Sequence, residues 1–215
     1  MTLLLVIAAT IVLLGSLRWI DPPTSSYIVR YEQAAKRQAK HEWVDFEQIA
    51  WSMPLAAIAA EDQRFPEHWG FDTRQIRLAI KQNRQRSAPR GASTISQQTI
   101  KNLFLWPGRS YVRKAVEAWL TFWMELLVPK QRILEIYLNI AQFGKSVFGV
   151  QAAAQHYFGT SAKWLSPRQA RLLAASLPTP SSSNPAKPSD YLLKREARLA
   201  SDMPKLGGKR LIDEL

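Results

Sequence analysis

The chain has 215 residues, a formal net charge of +12 and no cysteine. Its hydrophobic content of 47% excludes a disordered chain, and the missing cysteines exclude a disulfide framework and a thiolate metal site. The excess of 29 Lys and Arg over 17 Asp and Glu points to an anionic partner: nucleic acid, an anionic membrane surface or a phosphorylated substrate.

The chain opens on LLLVIAATIVLLGSL, residues 3–17, without a charge. With Trp19 and Ile20 the run approaches the roughly 20 residues that span a bilayer. A cleavable signal peptide and a buried core helix compete with that reading. RWIDPP follows directly with no clean small-x-small site, so the expectation is a single transmembrane anchor over 1–20 and one domain over 21–215. Arg18 lies after the apolar run rather than before it, against the positive-inside pattern.

Beyond the anchor the periodicity is helical, and the fold class expected is mainly α. Residues 27–40 read as a polar amphipathic helix, and 45–62 as a helix with Pro54 in a first turn. Asp72 caps a helix over 72–85, and Ser93 or Thr94 caps one over 93–105. SYVRKAVEAWLTFWMELL stops before Pro129, where KQRILEIYLNIA begins. The helix over 146–159 ends on Gly159. Ser166 and Pro167 open the next one, and a Pro/Ser-rich connection over 178–188 leads to a last helix from Ser189 to Met203. No stretch alternates strongly enough to predict a sheet.

Two patterns carry chemistry. From Thr73 to Val116 there is no acid, while Arg74, Arg77, Lys81, Arg84, Arg86, Arg90, Lys101, Arg109, Arg113 and Lys114 all fall there. Such a field suits either lipid headgroups or a bound phosphate or pyrophosphate. Arg90-Gly91-Ala92 leads into the helix STISQQ, whose free N–H groups favour an anion. Ser93, Gln97 and Lys101 recur at i, i+4 and i+8 with Gln98 beside them, a polar face suited to a sugar diphosphate.

The second pattern is acidic. Glu61 and Asp62 close the apolar stretch MPLAAIAA, where burial would raise a carboxyl pKa toward base chemistry. Glu117 stands four residues after Arg113 and three after Lys114, which by itself reads as an ordinary helix-surface ion pair. His68 is a lone histidine, and no metal-ligand spacing, Walker loop or G-x-S-x-G motif occurs. Two acids with many aromatics on a helical chain suggest glycosidic chemistry. A hydrolase would cleave glycan; a transferase would expel a phosphate, and the acid-free basic stretch favours the transferase.

The successive segments EDQRFPEHWGFD, RGASTISQQTIKNLFLWPGRSYVRKAVEAW, KQRILEIYLNIAQFG and VFGVQAAAQHYFG resemble the motifs of the peptidoglycan glycosyltransferase family, in its monofunctional membrane-anchored form. The resemblance runs from about Trp51 to Pro180 and weakens through the final helix. It implies a lysozyme-like helical fold that polymerises lipid II into β-1,4 glycan strands, with inversion and release of undecaprenyl pyrophosphate. It makes Glu61 the general base toward the acceptor 4-hydroxyl, and it places Glu117 near the donor pyrophosphate and sugar. Lys101 and Arg109 would hold the pyrophosphate, with Arg113 and Lys114 contributing. Ser93, Thr94, Gln97, Gln98 and Asn102 match substrate-contacting positions. Asp62, Phe65, His68 and Gly70 complete the first motif and shape the cleft.

The resemblance further implies no organic cofactor, with a divalent cation (Mg or Mn) as an optional aid to pyrophosphate departure. The implied partners are lipid II, the growing glycan strand, the membrane and other cell-wall synthesis or division proteins, and not nucleic acid. The implied location is the cytoplasmic (inner) membrane, single-pass, with the catalytic domain on the periplasmic side. Ala92 replaces the usual second glycine of GGST, and Gln142 replaces a common acid; neither is expected to abolish activity. An inactive glycan-binding scaffold is the non-enzymatic alternative.

Overall fold

The computed structural model describes residues 1–83, 93–108 and 110–215. Among them, α1 covers Thr2–Ser16, α2 Ser26–Ala35, α3 Ser52–Glu61, α4 Thr73–Asn83, α5 Ile95–Phe104 and α6 Tyr111–Leu127. They are followed by α7 over Lys130–Ile140, α8 over Val150–Phe158, α9 over Pro167–Ser176, α10 over Asp190–Lys205 and α11 over Lys209–Asp213. The mainly helical class expected from the periodicity is therefore what folds.

The centre is α3. Every residue from Ser52 to Ala59 is buried, which an amphipathic surface helix could not tolerate. Leu55 and Ile58 supply bulk, each contributing about 1.5–3 kcal/mol on burial. The alanines between them let α9, itself rich in buried Ala170, Ala174 and Ala175, lie close. Helices α7, α10 and α11 also pack on α3, while α5 bridges α7 and α6. Glu61 is the last residue of α3, so the core helix delivers its carboxylate to the edge of the domain.

Most of the predicted caps are present. The Asp72 carboxylate accepts the N–H groups of Arg74 and Gln75 at 2.9 and 3.0 Å. Thr94, rather than Ser93, forms a capping box with Gln97. Ser166 does the same with Gln169, and Pro167 occupies the first turn. Ser110 and Ser189 cap α6 and α10.

Three expectations are corrected. The helix over 27–40 ends at Ala35, where Lys36 adopts a left-handed conformation. The continuous helix over 45–62 is broken: a 3₁₀ turn at Phe46–Gln48 is followed by extended Ile49, and α3 begins only at Ser52. The stretch before α8 is a small antiparallel hairpin, β1 Gln142–Gly144 with β2 Val147–Phe148, and Val147 also bridges to Lys40. Strands of two and three residues are too short for alternation to register in sequence.

The membrane span expected over 1–20 falls on α1 and the turns that follow it. Among the described residues no helix is long and apolar enough to cross a membrane. At about 1.5 Å per residue, the 15-residue α1 rises roughly 22 Å against a hydrocarbon core of about 30 Å. Helix α1 packs on α6, burying Thr10 and Leu14. The indole N–H of Trp119 donates to Thr10 at 3.4 Å, and Arg132 holds the Leu17 carbonyl at 2.8 Å and Asp21 at 2.7 Å.

Asn139, fully buried on α7, ties the chain before α3 to the core. Its amide accepts the Val44 N–H and donates to the Val44 carbonyl, both at 2.9 Å, and also donates to the Glu135 carbonyl. Its own carbonyl lies 2.5 Å from where a Cβ on Gly149 would sit, so only glycine, at φ +81°, fits there. Replacing Asn139 with Ala leaves both Val44 groups unpaired. Denaturant unfolding of Asn139→Ala should show a loss of about 2–4 kcal/mol.

Candidate active site

Glu61 projects from the C-terminal end of α3, where the helix dipole disfavours negative charge. One carboxylate oxygen accepts the Gln98 amide N–H at 2.9 Å. The Gln98 carbonyl oxygen in turn receives the hydroxyl of fully buried Tyr137 at 3.4 Å. Burial pushes the Glu61 pKa above its ordinary 4.5, and neighbouring Asp62 adds to the rise. The Gln98 hydrogen bond and the charges of Arg195 and Lys101 oppose it in part.

Lys101 lies one turn beyond Gln98 on α5, on the same side of the helix. Burial lowers its pKa; Glu117 and Glu61 oppose that drop, while Arg113 and Lys114 reinforce it. The ammonium also lies 5.6 Å from the Tyr27 ring centroid. It is thus electrostatically coupled to both acids singled out in the sequence. Glu117 is 2% exposed and held at both oxygens: Arg113 binds one at 2.7 Å and Lys114 binds the other. The Arg113 guanidinium also donates to the Gly108 carbonyl at 3.0 Å. Glu117 is therefore no ordinary surface ion-pair partner. It is a buried anion that fixes two cations at the start of α6.

The remaining residues of the first motif face inward. Both Asp62 oxygens lie within 3.1 Å of His68 Nε2, and one also accepts the Ile95 N–H at 3.0 Å. Phe65 is fully buried, with the His68 ring edge-on to it. Thr94 donates to the Gly70 carbonyl at 2.7 Å. Gly70 has φ +76°, and a Cβ there would meet Thr121 at 2.7 Å, so glycine lets this loop lie against α6. Gln97 is buried as the partner of Thr94 in the capping box, so its amide oxygen serves the helix end. Asn102 is half-buried, and Ser93 is exposed on the rim of the cavity beside Glu61. Arg109, Arg84, Arg86, Arg90 and Ala92 lie outside the described residues.

Three groups were not legible in the sequence. Lys130 donates to the His68 carbonyl at 2.6 Å and to Glu125 at 2.8 Å, and its ammonium stands 4.4 Å over the Phe65 ring. Glu125 also accepts from the Ser96 hydroxyl. This buried cluster clamps the first-motif loop between α5, α6 and α7. Tyr137 was invisible for the same reason: its partner, Gln98, is 39 positions away. The third group is the face of α10, which shares a cavity of about 550 Å³ with Glu61. The sequence carried a signal only in the basic pattern KREAR of that helix.

Among the described residues no group of three His, Asp or Glu side chains is arranged to hold a metal ion. Removing the Lys130 ammonium strands a buried carboxylate, so Lys130→Met should lower unfolding stability by about 3–5 kcal/mol. Adding Glu125→Gln to it should recover part of that loss, and a double-mutant cycle from denaturant curves measures the coupling.

Residues 28–204 match the family model described as transglycosylase. The chain is 45% identical to a biosynthetic peptidoglycan transglycosylase of Stutzerimonas stutzeri, over 99% of this chain and 90% of that protein. It is 48% identical to the protein of that name from Aeromonas hydrophila, over 95% and 88% of the two chains. The corresponding match in Xylella fastidiosa is 50% identical over 91% and 83%.

Proposed function

The chain belongs to the transglycosylase family, and from that premise we propose that it polymerises peptidoglycan glycan strands from lipid II for the cell wall. The observation that carries the reading is the placement of Gln98 and Lys101 one turn apart on α5. The first holds the Glu61 carboxylate, and the second is coupled to the cations fixed by Glu117. A base and an anion site therefore share one short helix face.

In this reading Glu61, deprotonated, takes the proton of the acceptor 4-hydroxyl. The hydroxyl oxygen then bonds to the donor anomeric carbon as the carbon–oxygen bond to pyrophosphate breaks on the opposite side, which inverts the centre. The departing charge accumulates where Lys101, Arg113 and Lys114 converge. Preorganised cations in a partly buried site stabilise such a charge more than they could in water. Glu117 holds Arg113 and Lys114 in position. A divalent cation that aids departure would be carried by the pyrophosphate, because Glu117 is already engaged at both oxygens.

The apolar surface supports membrane association. Leu3, Leu4, Val6 and Val12 of α1 are exposed, as are Val112, Phe122 and Leu126 of α6, the helix on which α1 packs. Trp19 and Trp106 add exposed indoles suited to a bilayer interface. We read this α1–α6 surface, with residues 1–20 as its main part, as the contact that keeps the enzyme on the inner membrane beside its lipid-linked substrate.

Glu61→Gln should abolish polymerisation of labelled lipid II in detergent while the protein stays folded. Product strands at the intact rate would sink the base assignment. The folded pKa of Glu61 is raised, so the ionised form costs stability once pH rises through that value. Glu61→Gln should therefore be at least as stable as the intact protein at neutral pH. For the same reason the acidic limb of kcat/KM should lie above 4.5. Deleting residues 1–20 should reduce polymerisation in lipid vesicles far more than in detergent. Equal effects in both would refute the membrane role.

A further inference from the structure

One face of α10 has no role in the reaction described above. Tyr191, Lys194, Arg195 and Arg198 recur at i, i+3, i+4 and i+7, so they form a single stripe along the helix. All four line the cavity of about 550 Å³ that also contains Glu61. The stripe is held in this orientation from behind. Leu192, Leu199 and Met203 are buried, Arg171 of α9 binds Glu196 at 2.7 Å, and the Arg195 guanidinium donates to the Ala175 carbonyl at 3.1 Å.

The cations of this stripe are poorly matched by acids. Among the described residues Lys194 has no ion-pair partner and Arg198 reaches only Asp202, at 3.5 Å, which Lys205 also approaches at 3.2 Å. The other carboxylates around the cavity are engaged elsewhere. Asp62 is held by His68 and the Ile95 N–H, and Asp72 by Arg64 and the start of α4. Arg195 lowers the Glu61 pKa, as Lys101 does from the α5 side. Glu61 thus stands between two cationic groups, and in the reading above the departing donor pyrophosphate uses the one on α5 and α6.

We propose that the α10 stripe binds the peptide of the peptidoglycan precursor through its carboxylates, with Lys194 and Arg198 as the principal contacts and Tyr191 as an apolar platform. This rests on the transglycosylase reading above. Two anions of the precursor could meet these cations, its pyrophosphate and its peptide carboxylates. The architecture favours the peptide. The pyrophosphate is tied to a lipid, and the exposed apolar surface is built on α1 and α6, next to the Lys101 cluster. Helix α10 instead packs on α9 and α3. A group that reaches α10 while the sugar lies at Glu61 has to be a substituent of the sugar that extends away from the lipid. A peptide with free carboxylates is such a substituent.

The test uses the full chain and the double variant Lys194→Gln/Arg198→Gln, with lipid II bearing either a free-carboxylate or a fully amidated peptide. Loss of two charge-assisted contacts should raise KM about tenfold or more for the free-carboxylate substrate. The increase should be much smaller for the amidated one, which still carries the pyrophosphate. Equal increases with both substrates would overturn the proposal and assign the stripe to pyrophosphate. No increase with either would overturn it outright. Calorimetric titration with the soluble muramyl pentapeptide provides an arm independent of turnover: the intact protein should bind it, and the double variant should bind it at least about tenfold more weakly. Equal binding by the two proteins would refute the peptide site. An intact protein that fails to polymerise lipid II yet shows this binding difference would refute the transglycosylase reading and leave the peptide site standing.

Discussion

The Asp62 carboxylate is the joint on which the active site depends. It accepts the N–H of Ile95, the first residue of α5, while its two oxygens face the His68 ring. An anion at a helix N-terminus is stabilised by the unpaired N–H groups and by the dipole. The same contact sets the height of α5 relative to α3. Once it is made, Gln98 falls opposite Glu61 and Lys101 follows one turn later. The loop that carries Asp62 and His68 is pressed against α6 at Gly70 and held from below by Lys130.

The charge distribution follows from that geometry. A chain with a net charge of +12 could simply spread its cations over solvent. Here several are fixed by buried acids: Glu117 fixes Arg113 and Lys114, Glu125 fixes Lys130, and Glu135 fixes Arg132. Burying a carboxylate is unfavourable unless it is paired and hydrogen-bonded. These acids meet that condition, and in return they hold cations in set positions around a cleft. Glu61 is the exception. Among the described residues it has a single amide partner and no direct ion pair, and burial raises its pKa. A carboxylate held in this way is suited to accepting a proton, whereas Glu117 is suited to holding charge in place.

The apolar surface follows a different rule. Helix α1 covers part of α6, and what remains exposed on both is aliphatic and aromatic. Such a patch on a water-soluble monomer would be a liability. In the proposed membrane-bound reading, it places the cation cluster on α5 and α6 at the depth of the lipid-linked phosphates. The same reading directs the peptide-bearing end of the substrate toward α3 and α10, where we propose that it binds.

Much of this molecule was determined by local sequence. Helix positions followed from caps such as Asp72, Thr94, Ser166 and Ser189, because a side chain that satisfies N–H groups two or three residues away needs no tertiary partner. Glu61 stood out because an acid ending an Ala-rich apolar stretch has few structural uses. Local sequence could not show that Glu117 is buried, because its i, i+3 and i, i+4 spacing to Lys114 and Arg113 is the same on an exposed helix. The break at Ile49 and the hairpin at 142–148 were also hidden, since both depend on contacts with distant segments. The same holds for Tyr137 on Gln98, Lys130 beneath the first-motif loop, and α10 facing Glu61 more than 130 positions away. Apolarity identified residues 1–20 as lipid-seeking, but whether they span or lie against α6 depends on helix length and on the Trp119 and Arg132 contacts, which only the folded chain brings together.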